Sequence, residues 1–415
     1  MSRVCLGCLG GLGSSPAVCP QCQWPLCSPA CEAAAGHRQE CAIFREARLL
    51  PAQETHFIYS LLSVLRVLLL KEDDAAWSQV AGLMDHWDLF SRDQRLVEGL
   101  RKLTGFMQNQ LGLAWVLEKD VQHCYGVMKT NAMGFEPHGG EGQALYALGS
   151  IMSHSCAANL ELVGELGKTV AFRAKRKIAK GEELTIRYCS FLQPRHKIQE
   201  QVLRDWHFSC ACTRCSDPSE LGSYFSSLQC SCGGFFCSQV PGGDRRRGGG
   251  DDARKHLCSK CGRLADLSQP LAEVASLSRK LAREGYREEM LCALEAIPGC
   301  HATHHLRTQL YMAALEREEG GGKAEPRLVA TRAAAVLRTL GLLDAGCTRL
   351  QGKYLGVMLE AQQELLRGCG EELAGPQGRR AVLELARGKV RAARLRSDFC
   401  IGTGGGKLID TVENV

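Results

Sequence analysis

Most of the 23 cysteines stand in short, close pairs, and that spacing suits a tetrahedral metal ion. Cys5-x2-Cys8, Cys19-x2-Cys22, Cys27-x3-Cys31 and His37-x3-Cys41 put eight candidate ligands into 37 positions, enough for two closed zinc sites. Two thiolates on one tight turn can face the same ion, and structural zinc takes four N or S ligands with no open position. The intervening residues supply no core, so thiols packed as small hydrophobes would not hold this segment together and a metal must. Further along, Cys230-x-Cys232 and Cys258-x2-Cys261 bracket a Gly/Arg-rich loop in the manner of a small zinc ribbon, with Cys237 able to replace one ligand.

Three further segments carry chemistry through their order rather than singly. They are Ser150-Ile-Met-Ser-His-Ser-Cys156 with Asn159 close behind, Gly181-Glu-Glu-Leu-Thr-Ile-Arg-Tyr188, and Trp206-His-Phe-Ser-Cys210-x-Cys212-x2-Cys215. The elements that must position them follow from periodicity. Apolar residues at helical spacing (Phe57, Leu61, Leu62, Leu65, Leu68, Leu69, then Leu96, Leu100, Leu103, Phe106, Met107) predict three or four helices between Glu54 and Leu117. Residues 122–192 read as short β-runs with Gly-rich connections, including Val170–Phe172 and Glu183–Tyr188. A helix over 194–206 leads into the second Cys-rich block, and helices of hairpin length fill Leu267 to about Leu395, ahead of a frayed tail from Gly402.

Composition narrows the class. A net charge of +6 and a pI of about 8.4 fall short of the single-sign field of a dedicated nucleic-acid binder. Arg245–Arg247, inside the Gly-rich stretch Pro241–Asp252, reads as a solvated charge run. The start has no apolar signal region, and the run Leu61–Leu70, broken by Arg66, is too short to span a bilayer. A reducing compartment, nucleus or cytoplasm, is expected.

The second set of segments resembles the C-terminal half of a SET methyltransferase domain with its post-SET zinc loop, and the first Cys block resembles a MYND finger. Together they identify the chain as similar to the SET-and-MYND (SMYD) family, SmydA-like branch. Thr130–Ala132 and Leu145–Tyr146 match the strands before the motif, and His301–Tyr311 and Gly346–Gly352 match the helical C-terminal domain. The resemblance implies an α+β multidomain chain. Its parts are a MYND finger (1–41), a helical insert (42–121), the β-rich SET C-terminal half (122–192), a post-SET and ribbon-like region (193–265), an α-helical domain (266–400) and a tail (401–415). It also implies interleaved ligands in the finger: Cys5, Cys8, Cys27 and Cys31 on one zinc, and Cys19, Cys22, His37 and Cys41 on the other. Cys156 joins Cys210, Cys212 and Cys215 in the post-SET site, and Cys230, Cys232, Cys258 and Cys261 bring the total to about four zinc ions. The remaining cysteines (124, 189, 237, 292, 300, 347, 369 and 400) are expected to be ordinary buried thiols.

By the same resemblance Tyr188 is the catalytic tyrosine and, with Asn131, Ser153, His154 and Phe208, contacts S-adenosylmethionine. The substrate class is a lysine of a histone or another protein, and MYND fingers take proline-rich peptides. Methyl transfer is an in-line displacement that needs alignment and a deprotonated amine. Two features depart from the family. Ser153 stands where the motif has asparagine, which removes a hydrogen-bonding amide at a cost of about 1–3 kcal/mol. The chain also starts four residues before Cys5, so the family's N-terminal SET half is expected to be missing, with its Gly-rich cofactor turn, leaving an exposed sheet edge. Gly139–Gly140, Gly242–Gly243 and Gly248–Gly250 lie too late in the chain to replace that turn. An impaired methyltransferase is thus set against a non-catalytic, corepressor-like interaction module, while direct nucleic-acid binding is disfavoured and membrane association is not expected.

Overall fold

A computed structural model describes residues 5–8, 10–50, 55–135, 142–164, 170–237, 255–319, 324–344, 346, 348–368, 384–385, 387–388, 391–392 and 409–412. The Gly/Arg loop, the three glycine stretches, and Cys347, Cys369 and Cys400 lie outside these. The chain divides into two compact units, one of residues 1–152, 164–171 and 408–415, the other of 153–163 and 172–407.

In the first unit β1 (Ala17–Val18) and β2 (Pro25–Leu26) form the finger's antiparallel ribbon, and a 3-10 turn over Pro29–Ala33 leads into α1 (Ala35–Glu46). Trp24 belongs to the core that the finger shares with α1. Its indole is fully buried, packs on Phe44 at 5.3 Å, and donates to the Leu49 carbonyl at 2.8 Å. α2 (Thr55–Leu69) buries Leu61, Leu62, Leu65, Leu68 and Leu69, the stripe expected from their spacing. α3 (Asp74–Val80), α4 (Trp87–Phe90) and α5 (Gln94–Asn109) follow, with Asp73 and Asp93 accepting from the first free N–H groups of α3 and α5.

The expected boundary at residue 122 is not one. It falls inside α6 (Glu118–Asn131), whose buried Val121, Cys124, Val127 and Met128 join the same core as α2 and α5. Asn131 therefore ends a helix, and the strands β3 (Met133–Phe135) and β4 (Gly142–Ala144) begin only after it. Gly126 explains why α6 can sit so close: a Cβ there would lie 2.3 Å from the Asp85 carbonyl oxygen. The short α7 (Ala147–Ser150) closes this part of the unit.

β5 (Ser153–His154) opens the second unit; β6 (Leu160–Gly164) and β7 (Val170–Ala174) follow, each divided between the two units along the sequence, and β8 (Thr185–Ile186) belongs to the second. β6 and β7 are neighbours, and β5 pairs with β8 in parallel, Ser153 opposite Thr185 and His154 opposite Ile186. The strand expected over 183–188 is cut to two residues because the Asn159 side chain takes over its start. Asn159 donates to the Glu183 carbonyl at 2.8 Å and accepts from the Thr185 N–H at 2.9 Å.

Next come α8 (Arg195–Trp206) and α9 (Thr213–Ser216), then a ribbon of β9 (Leu228–Gln229), β10 (Phe235–Cys237), β11 (Lys255–Cys258) and β12 (Leu264–Asp266) in the order β12-β11-β10-β9. The helical part holds α10 (Ser268–Glu284), α11 (Glu289–Glu295), α12 (His305–Glu319), α13 (Pro326–Leu343) and α14 (Arg349–Gly368). Phe191 and Phe225 pack among Leu315, Val336, Leu340, Leu343 and Tyr354 of these helices. Ile409–Val412 is a strand where a frayed tail was expected. Among the described residues no helix is long and apolar enough to cross a membrane.

Candidate metal centres and active site

Among the described residues four tetrads gather their ligand atoms within 4.8 Å: Cys5/Cys8/Cys27/Cys31, Cys19/Cys22/His37/Cys41, Cys156/Cys210/Cys212/Cys215 and Cys230/Cys232/Cys258/Cys261, the first two interleaved as expected. Ligands about 2.3 Å from a tetrahedral zinc would stand about 3.8 Å apart. The measured separations bracket that value: 3.4 Å for Cys8–Cys27, 3.7 Å for Cys19–Cys41, 3.6 Å for Cys156–Cys215 and 4.0 Å for Cys230–Cys261. The residues present fit zinc. Cys237 stands outside the fourth tetrad because β10 pairs it with Leu257 instead. Of the thiols expected to be buried, Cys124 is, Cys189, Cys237 and Cys300 are half-buried, and Cys292 is exposed.

Backbone geometry shapes each turn. The Gly7 N–H points at the Cys5 sulfur from 3.3 Å, and a Cβ at Gly7 would meet Cys31 at 2.5 Å. Burial raises the Cys5 thiol, yet the N–H groups around it outweigh burial and bring it to about 7. At the fourth tetrad the N–H groups of Cys261 and Lys260 lower Cys258 to about 6.

Residues behind the ligands escaped the sequence reading. His37 turns Nε2 toward Cys22 at 3.9 Å, and its Nδ1 faces Glu40 at 3.9 Å. Glu40 accepts from Arg66 twice, at 2.9 and 2.6 Å, and Arg66 also donates to the Leu6 carbonyl at 2.6 Å, beside Cys5. One arginine of α2 therefore braces both finger sites. The signal lay in the interruption it makes in the apolar run of α2, since a charge there needs a partner. Replacing Glu40 by glutamine is expected to weaken zinc retention at the second site about 10–100-fold, the usual cost of losing a carboxylate behind a ligating histidine. Competition against a chromophoric chelator measures it, and unchanged retention would contradict the role.

The third tetrad sits beside the candidate active site, and both belong to the second unit. Gln199 of α8 brackets Cys210, donating to its carbonyl at 2.6 Å and accepting from its N–H at 3.0 Å. Arg214, fully buried, pairs with Glu220 and holds the Gln193 carbonyl at 3.1 Å. His207 follows the last residue of α8, and its left-handed backbone (φ 61°) turns the chain sharply between Trp206 and Phe208. Both rings then converge on Tyr188, Trp206 at 5.2 Å and Phe208 at 6.4 Å, with His154 at 5.3 Å. Burial, then Glu183, raises the pKa of the Tyr188 phenol above its ordinary value, so it stays protonated. Trp206 is a wall the sequence reading passed over. Ser153 is exposed on β5. In the first unit, Asn131 donates to the Met84 and Val127 carbonyls at 2.7 and 2.9 Å.

The sequence signature of the SET domain matches residues 51–189. The chain is 27% identical over 243 residues to SET domain-containing protein SmydA-8, isoform B, of Drosophila melanogaster, covering 55% of this chain and 50% of that one. It is 29% identical over 228 residues to Histone-lysine N-methyltransferase SMYD3 of Mus musculus, 51% of each chain. A SET and MYND domain-containing protein of Dictyostelium discoideum is 30% identical over 105 residues, 24% of this chain and 27% of that one. The chain spans about half the length of the first two.

Proposed function

Because the chain belongs to the SET-and-MYND (SMYD) family, with SmydA-like relatives, we propose that it is an S-adenosylmethionine-dependent protein-lysine methyltransferase whose four tetrads hold zinc. The observation that carries this reading is the convergence of Tyr188, Trp206, Phe208 and His154 at the end of β8, beside the third tetrad. When bound, S-adenosylmethionine supplies an activated methyl group. The neutral Tyr188 hydroxyl aims the lysine amine, and most of the gain comes from that alignment. Trp206 covers the apolar stem of the lysine and keeps water from the amine. Phe208 offers its ring to the adenine. The finger takes a proline-rich partner peptide, and the substrate is a histone or another protein of the nucleus or cytoplasm.

The test is calorimetric titration of the zinc-replete chain with S-adenosylhomocysteine, followed by methyl transfer to histone-tail peptides. Tyr188→Phe is expected to bind like the parent and to transfer at least about 100-fold more slowly, as a lost aiming contact does. Absent binding by a chain that holds its zinc sinks the enzyme reading. It leaves a module in which the finger and helices recruit partners.

A further inference from the structure

The β5–β8 ladder is too short to hold Tyr188 by itself. Its last backbone rung is the Ser155 N–H to the Ile186 carbonyl, at 2.9 Å, and Tyr188 lies two residues beyond. The next rung is made by a side chain: the Tyr188 N–H donates to His154 Nδ1 at 3.0 Å. A backbone N–H can only donate, so Nδ1 is the acceptor and the ring proton sits on Nε2. Nε2 in turn lies 3.5 Å from the sulfur of Cys156, a member of the third tetrad. An N–H aimed at a metal-bound thiolate offsets part of the charge of a four-thiolate site, and such outer contacts fix ligand orientation. Without a metal-bound sulfur at Nε2 the ring loses one of its two ties and keeps the Tyr188 N–H and its packing on the Tyr188 and Phe208 rings, at 5.3 and 6.1 Å.

We propose that His154 is a positioning residue that ties the placement of Tyr188 to the metal occupancy of the third tetrad. One imidazole spans both: Nε2–H on the Cys156 thiolate and Nδ1 on the Tyr188 backbone. The role of Tyr188 rests on the methyltransferase reading; the bridge itself does not.

Two replacements split the bridge. His154→Asn keeps an acceptor where Nδ1 stands and loses reach to Cys156. His154→Gln keeps a donor where Nε2 stands and loses the acceptor for Tyr188. The chain has eight tyrosines, so 3-fluorotyrosine labelling gives a resolvable fluorine NMR spectrum, with Tyr188→Phe identifying the signal. His154→Gln is expected to shift the Tyr188 resonance while retaining zinc as the parent does. His154→Asn is expected to leave the zinc-loaded resonance in place while one zinc is lost to a chromophoric chelator about 10–100-fold more readily. If both variants move both readouts together, His154 is mere packing and the proposal falls. It falls too if the resonance is unmoved in His154→Gln. Should that variant not fold, the parent supplies the second measurement. Exchanging zinc for cadmium lengthens the metal–sulfur bonds and must move the Tyr188 signal more than that of Tyr286, and an unmoved signal overturns the bridge. A split pattern without S-adenosylhomocysteine binding would keep the bridge and discard the methyltransferase. Binding without the split would do the reverse.

Discussion

Replacing Cys156 by serine is expected to cost the chain one zinc ion, and to loosen the segment from Trp206 to Asp217 around the third tetrad. The reason is what surrounds the third tetrad. Its buried cluster consists of Cys156, Cys210 and Cys215 with only Ile198 and Val202 of α8, while Phe208, Cys189 and Cys212 pack at its margin. Three of five buried members are thus metal ligands, and two aliphatic side chains contribute only about 3–6 kcal/mol of burial. Structural zinc contributes on the order of 10–16 kcal/mol as folding free energy, so the metal outweighs the apolar packing by far. A serine hydroxyl is not deprotonated at neutral pH and does not replace a thiolate. Gln199 and Arg214 would still hold Cys210 and the Gln193 carbonyl, but neither reaches Cys156. Metal analysis and limited proteolysis would show one ion fewer and a new cleavage site within 206–217. Cys124 is the control. It is buried in α6, burial pushes its thiol up to about 12, and it belongs to no tetrad. Cys124→Ser should therefore keep all four ions and lose about 1–3 kcal/mol, the cost of a polar group in an apolar site. Four ions in Cys156→Ser would refute the assignment.

The tetrads were legible because tetrahedral coordination leaves so little freedom. Close pairs of thiols admit few folds, and the interleaving came with the family resemblance; the expectation that the residues between them supply no core was wrong, since Leu6, Trp24 and Leu26 are fully buried. The aromatic group around Tyr188 was legible in part, since the resemblance gave a role to Phe208 and none to Trp206, the first residue of the same segment. What the sequence hid was of two kinds. Local competition is one: Asn159 replaces the ladder where a strand was expected, and α6 runs on through 122–131, where short β-runs were expected to begin. Pairing across long separations is the other. Nothing local marks Glu40 as the partner of Arg66, or Asp344 as the partner of Lys175, because burial of both charges is decided only by the finished fold.

That second pair carries the other large effect. Asp344 follows α13 and meets Lys175, just past β7, and Arg187, the residue before Tyr188; Glu161 of β6 completes the group. Lys175 and Asp344 are almost wholly buried, and the Arg187 guanidinium lies 4.0 Å from the centre of the Phe191 ring. Two positive and two negative groups balance. Asp344→Asn keeps the shape and removes one negative charge, so Lys175 and Arg187 face Glu161 alone. Breaking one side of a buried pair costs about 3–5 kcal/mol, most of it the uncompensated charge. The pH dependence identifies the cause. Burial, then Arg187, already holds the Lys175 pKa below the ordinary lysine value, and losing Asp344 must lower it further. Between the folded and unfolded values the unfolded chain binds more protons, so stability rises with pH across that window. The variant should therefore regain stability on the alkaline side, more steeply than the parent. Chemical denaturation from neutral pH to pH ~10, just below the unfolded lysine value, measures both effects. A double replacement, Lys175→Met with Asp344→Leu, removes the pair together and leaves Arg187 with Glu161. It should recover most of the loss, since apolar residues can replace a buried pair at little cost. A double variant as unstable as the sum of its singles would show that the two charges do not act as a pair.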